Sequence, residues 1–166
     1  MASASDEGAF RIRPYRPEDA ALLGPIYFEA VRLGSANDYT VEQREAWSPS
    51  VRDGSWYEAR AQDGRFILVA VDLQGSAIAY GELEADGHLD HLYCRPEYLG
   101  LGVGAALYDA LEREARRRGV SKLYVEASEA ARRLFLKKDF TDLGRRDFQL
   151  RGASIHNYAM VKRLGG

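Results

Sequence analysis

Apolar and polar positions along this chain follow two periods, and the switches between them mark out its elements. Residues 10–15, FRIRPY, alternate with period two and predict a short first strand. Residues 17–35, PEDAALLGPIYFEAVRLGS, space their apolar side chains as a helix does, with Pro17 in its first turn and Gly34 at its stop. Thr40 offers an N-cap to a short helix over TVEQREAW. Residues 48–64 keep no clear period, a helix through SWYEARAQ being one reading. RFILVAVDL and SAIAYGELEA are apolar runs joined at Gln74-Gly75, a hairpin signal. Gly87 opens a third strand, HLDHLYC, which must end by Pro96. From Val103 to Arg118 the helical period is strongest, with Val103, Leu107 and Leu111 inward and Gly119 just past the end. KLYVEAS reads as a strand and EAARRLFLKK as a short helix. Residues 141–164 divide around Gly152 into a last pair of strands. Hairpins mixed with one strand–helix–strand crossover imply an α/β sheet of mixed direction with helices on its faces.

Composition narrows the class. A chain of 166 residues is one domain with room for a core, its first eight residues reading as a loose leader. A net charge of −2 is no footprint of a nucleic-acid binder. Arg116, Arg117 and Arg118 cluster, but Glu112 and Glu114 precede them by a helical turn, as on a solvated helix end. No stretch approaches the ~20 apolar residues of a membrane span, and the N-terminus lacks the pattern of a signal peptide. The single cysteine, Cys94, excludes an internal disulfide framework and fits a reducing cytoplasm.

The candidate chemistry gathers at RPEYLGLGVGAAL, residues 95–107, where Gly100, Gly102 and Gly104 alternate between a strand and a helix. A Walker A loop is excluded because no lysine or hydroxyl follows the glycines. A dinucleotide-binding turn wants Gly-x-Gly-x-x-Gly in the first crossover, whereas this motif comes late and spaced as Gly-x-Gly-x-Gly. What remains is a turn of close-approach glycines leading into a helix N-terminus, an anion cradle of backbone N–H groups.

At these residues the sequence resembles the GNAT superfamily of acyl-CoA-dependent N-acetyltransferases. The family signature, Arg/Gln-x-x-Gly-x-Gly/Ala after a strand ending in a V-x-P-E-Y-like segment, is approached by Cys94-Arg95-Pro96-Glu97-Tyr98 and then Leu99-Gly100-Leu101-Gly102-Val103-Gly104. Leu99 stands where the family has Arg or Gln. The resemblance covers residues 76–140 and implies the acyl-CoA N-acyltransferase fold, a mostly antiparallel central sheet of about seven strands with helices on both faces. It implies acetyl-CoA as co-substrate, its pyrophosphate held by N–H groups of the stretch Leu99, Gly100, Leu101, Gly102, Val103, Gly104 and Ala105. Leu92, Tyr93 and Cys94 would flank the pantetheine arm, and a backbone N–H near Leu92 or Tyr93 would meet the oxyanion.

An alkyl amine with a pKa near ~10 must lose a proton before it attacks a thioester. In relatives a carboxylate on the strand before the loop serves, and Asp90 matches that position; His91 beside it has the more suitable chemistry. Strand neighbours point to opposite faces, so only one should reach the site unless a bulge intervenes. Glu84 and Glu126 are further candidates. Where the family places a tyrosine near the departing sulfur, this chain has Phe135 in ARRLFLKKDF, which has no proton to donate. Ser128 or Tyr158 are possible substitutes. Since a thiol has a pKa near ~8.5, the missing acid implies a slower or differently assisted enzyme. His88, His91 and Cys94 cannot converge on a metal from one strand, so no metal is expected.

The acceptor end, by resemblance built from the first helices and the last hairpin, contains Tyr39, Trp47, His156 and Tyr158, with Asp38, Glu42 and Glu45 among them. Aromatics flanked by acids suit a cationic or aromatic amine. The implied activity is transfer of an acetyl group to a small-molecule primary amine or exposed amino group, as monomer or homodimer. The alternative is an acyl-CoA-binding sensor without catalysis. An enzyme modifying aminoacyl-tRNA would want a basic acceptor face, which the acids here oppose.

Overall fold

The computed structural model describes residues 9–165, so the expected leader lies outside the described residues. Four strands, β1 (Arg11–Pro14), β2 (Phe66–Val71), β3 (Ala77–Leu83) and β4 (Leu89–Cys94), pair antiparallel in sequence order. Three more, β5 (Lys122–Ala127), β6 (Thr141–Leu150) and β7 (Ala153–Arg163), form a second sheet in the order β5-β7-β6. The two sheets touch through one parallel bridge, His88 to Tyr124, so β4 and β5 run side by side without a ladder. The expected seven strands of mostly antiparallel pairing are all present, divided four and three.

Helices cover both faces. On one lie α1 (Ala20–Arg32), α2 (Val41–Trp47) and α3 (Gly54–Ala61). There Leu23, Ile26 and Tyr27 pack with Val69, Val71 and Tyr80. The helix expected over 17–35 is shorter, because Pro17–Asp19 forms a single 3₁₀ turn and the helix closes at Leu33. The ambiguous stretch resolves into α3, since Asp53 caps it by accepting from Ser55 N at 2.8 Å. Thr40 caps α2 as expected, and its capping box closes through Gln43.

The opposite face is covered by α4 (Val103–Arg117), which buries Val103, Leu107, Tyr108, Leu111 and Ala115 against Leu68, Ile78, Leu89 and Leu123. Burial of each of its large side chains contributes about 1.5–3 kcal/mol, so packing more than propensity fixes this helix. The last helix, α5 (Glu129–Lys137), is capped by Ser128 and brings Phe135 into the same core beside Tyr108 and Phe140. Among the described residues no helix is long and apolar enough to cross a membrane.

One irregularity positions the site. β3 and β4 pair Glu82 with His91 but Leu83 with Leu89, so Asp90 is an extra residue in β4. This β-bulge shifts the alternation of the strand by one.

Candidate active site

The turn after β4 is shaped by two left-handed glycines. Gly100 has φ 81° and Gly102 has φ 82°, and a Cβ added at either would meet nothing within 4 Å. A side chain there is thus opposed by backbone strain, not by crowding. Gly102 is the N-cap of α4 and supplies no side-chain cap; the first intrahelical bond is Ala106 N to Gly102 O. The N–H groups of Val103, Gly104 and Ala105 therefore have no intrahelical partner and stand at the positive end of a four-turn helix. They line a cleft of about 440 Å³. Its wall includes Leu92, Tyr93, Cys94, Leu99, Gly100, Gly102 and Ser128, together with Arg133 and Lys137 of α5.

A second cavity of about 220 Å³ opens between β4 and the β6–β7 hairpin, lined by Tyr39, Asp90, Val125, Glu126, Phe135, Phe148, Leu150, Ile155, His156 and Asn157 among others. Both cavities share Trp47, Leu92, Tyr93, Ser128 and Ala131 in their walls. They meet where β4 parts from β5. Tyr39 helps frame this junction: its hydroxyl donates to His156 O and accepts from Glu129 N, both at 3.1 Å, and its ring meets Trp47 edge-on.

Behind the second cavity lies a charged cluster that sequence reasoning missed. Glu82 of β3 is fully buried and accepts from Arg60 and, at 3.0 Å, from Arg65. The same two guanidiniums donate to Asp90 Oδ2 at 2.6 and 3.1 Å, which leaves Oδ1 without a partner among the described residues. The only signal for this cluster was a carboxylate inside the otherwise apolar run AIAYGEL.

The bulge brings Asp90 and His91 to one side of the sheet. Asp90 reaches the arginines, and His91 Nδ1 lies 2.8 Å from Tyr80 Oη, which in turn bonds Tyr57 Oη at 3.0 Å. His91 is stacked on Tyr27 and stands 4.0 Å from Glu82. Burial works to raise the Asp90 pKa, but hydrogen bonding from Arg60 and Arg65 and the charges of His91 and Arg60 hold it near 2. For His91 burial dominates and lowers the pKa to about 4, the charges of Glu82 and Asp90 opposing it. Both groups are in their deprotonated form at neutral pH.

The remaining expected positions distribute as follows. Leu101 is exposed and outside the lining of the larger cleft. Phe135 is buried and lines the second cavity instead. Tyr158 lines neither, its hydroxyl donating to Glu129 Oε1 at 2.7 Å beneath Arg132. Ser128 Oγ is engaged by Ala131 N in capping α5, yet the residue borders both cavities. His88 is held by Glu84 and Glu126 at 3.1 and 2.5 Å, while Cys94 Sγ points to Arg95 O. His88, His91 and Cys94 therefore keep separate partners.

Residues 35–162 match the acetyltransferase (GNAT) domain family. The chain belongs to that family. It is similar to a GCN5-related N-acetyltransferase from Rhodopseudomonas palustris, 37% identical with a TM-score of 0.83, covering 93% of this chain and 95% of that one. It is also 28% identical to YafP, an uncharacterized N-acetyltransferase of Escherichia coli strain K12, over 90% of this chain and 93% of the relative. A phosphinothricin acetyltransferase from Sinorhizobium meliloti, solved in complex with AcCoA, shares the fold at 20% identity and a TM-score of 0.76, covering 94% of this chain and 89% of its own. In this GNAT domain the glycine turn, the parted strands and the second cavity occupy one continuous groove.

Proposed function

We propose that this protein transfers an acetyl group from acetyl-CoA to the primary amine of a small molecule or an exposed amino group, by direct attack in a ternary complex. The observation that carries this reading is the junction of the two cavities at Trp47, Leu92, Tyr93, Ser128 and Ala131. A thioester laid along β4 and an amine entering from the hairpin side would meet there. The unpaired N–H groups of Val103, Gly104 and Ala105 suit the pyrophosphate, and the edge of β4 facing β5 suits the pantetheine amides.

Asp90 is the group that receives the amine. Its Oδ2 is fixed by two arginines, and Oδ1 is left to accept from the incoming nitrogen. It orients the amine; it cannot keep the proton. Moving a proton from an ammonium with a pKa near ~10 to a carboxylate near 2 is uphill by about 11 kcal/mol. Proton loss therefore ends in solvent, and the neutral amine bonds to the acetyl carbon as the C–S bond breaks and coenzyme A leaves. Phe135 offers the sulfur no proton, which also favours a second reading, an acyl-CoA-binding module without turnover.

Calorimetry with acetyl-CoA, coenzyme A and NAD, followed by thiol release with a panel of amines, separates these. Binding of both coenzyme A forms with NAD silent, and amine-dependent thiol release, is the expected result. Binding without release for any amine would establish the module, and no binding at all would overturn both.

A further inference from the structure

The second cavity carries charge of one sign. Asp90 and Glu126 are its ionised acids, and no lysine or arginine is among its described lining. The cations that pair with them, His88 on Glu126 and Arg60 and Arg65 on Asp90, stand outside that lining. Around Asp90, Arg60 and Arg65 face Glu82, Asp63 and Glu84 as well, while His88 faces Glu84 and Glu126. Five carboxylates thus share three directly bonded cations, with the charge of Arg146 also acting on Glu126, and His91, neutral at pH 7, adds none. On the far side, His156 is occupied by Glu129 at 2.6 Å.

The rest of the chamber includes an apolar wall. Phe148 and Leu150 of β6 and Ile155 of β7 form the wall. Asn157, on the same strand as Ile155, has a side-chain oxygen that is buried without a hydrogen-bond partner. The volume, about 220 Å³, equals the liquid share of roughly seven waters, so the occupant is a single ring or a short chain.

We infer that the acceptor is a small amine whose only charge is positive, with an apolar body and no carboxylate or phosphate, selected by the two lining acids Asp90 and Glu126. A carboxylate brought beside Asp90 and Glu126 would find no lysine or arginine in the cavity lining to pair with and two like charges to repel it. Amino acids are thereby excluded in favour of arylalkylamines and short diamines. This rests on the acetyltransferase reading for the chemistry, though not for the binding preference.

The test uses matched pairs that differ by a carboxylate: 2-phenylethylamine against phenylalanine, and 1,4-diaminobutane against ornithine. With acetyl-CoA, kcat/KM should favour the carboxylate-free member of each pair by at least about a hundredfold. Calorimetry of the same four compounds on the coenzyme A-loaded chain should show the same order. Glu126→Arg should narrow the ratio at least about tenfold, by supplying the missing cation. Equal or better use of the amino acids would overturn the inference while leaving the transferase reading intact. Selective amine binding without thiol release would do the reverse. Neither binding nor release for the carboxylate-free amines would defeat both.

Discussion

Gly104 separates two demands that elsewhere in the turn fall on the same residue. Its backbone is helical, and an added Cβ would meet only Leu134 Cδ2 at 3.9 Å, an ordinary contact. The fold does not need a glycine there. Gly104→Ala should therefore keep or raise thermal stability, by up to about 1 kcal/mol from helix propensity. It should also weaken coenzyme A binding about tenfold or more, because the methyl group projects into the groove the N–H groups line. A variant that lost stability together with affinity would place Gly104 in the fold and not in the cradle. Asp90 and His91 set a second residue-scale expectation. With pKa values near 2 and 4, neither changes protonation between pH 5 and 8. The proton to be lost belongs to the acceptor, so kcat/KM should climb about tenfold per pH unit toward the amine's own pKa near ~10. Asp90→Asn should lower that line by roughly 10²-fold without changing its slope. An inflection between pH 6 and 7 that disappeared in His91→Gln would show instead that His91 is the base.

Elements were legible wherever periodicity was long. β2 and β3, and α4 above all, followed from the apolar spacing, because each buries its apolar side chains, whereas the last pair of strands was marked by the break at Gly152. Leu111, fully buried between α4 and the sheet, marks how much rests on the buried face of α4. Leu111→Ala should cost about 2–5 kcal/mol in urea unfolding and leave the slope with denaturant unchanged. What the pattern could not show was the bulge at Asp90. One extra residue in β4 reverses the alternation, and nothing in LDHLYC distinguishes it from a regular strand. The candidate pair was thus visible, while the geometry that brings both members to one side came from pairing with β3. Arg60 and Arg65 escaped notice for a related reason. Arginine on a short helix and at a strand entrance usually snorkels to water, and the carboxylates of Glu82 and Asp90 on other strands draw these two inward.

The whole molecule inherits its response to pH from two histidines shifted in opposite senses. His91 has a folded pKa near 4 against about 6.5 unfolded, so between these values the unfolded chain binds the extra proton. Stability is full above pH 6.5 and falls as pH drops toward 4, by about 3 kcal/mol. His88 goes the other way, raised to about 9 by hydrogen bonding to Glu126 against the cost of burial. Its contribution is full below pH 6.5 and is lost as pH rises through 9. Urea unfolding should therefore show a maximum near pH 6.5. His91→Gln should flatten the acid limb and leave the alkaline one; an unchanged acid limb would assign it to the carboxylates alone. The division of the strands into four and three, bridged only between His88 and Tyr124, has a mechanical meaning at this scale. The two sheets share the core under α4, but their backbones are joined at that one bridge, so a ligand lying along the open edge of β4 would add a second line of contact between them. At a hundred times its dissociation constant such a ligand adds about 2.7 kcal/mol, and amide exchange should slow in both β4 and β5 together.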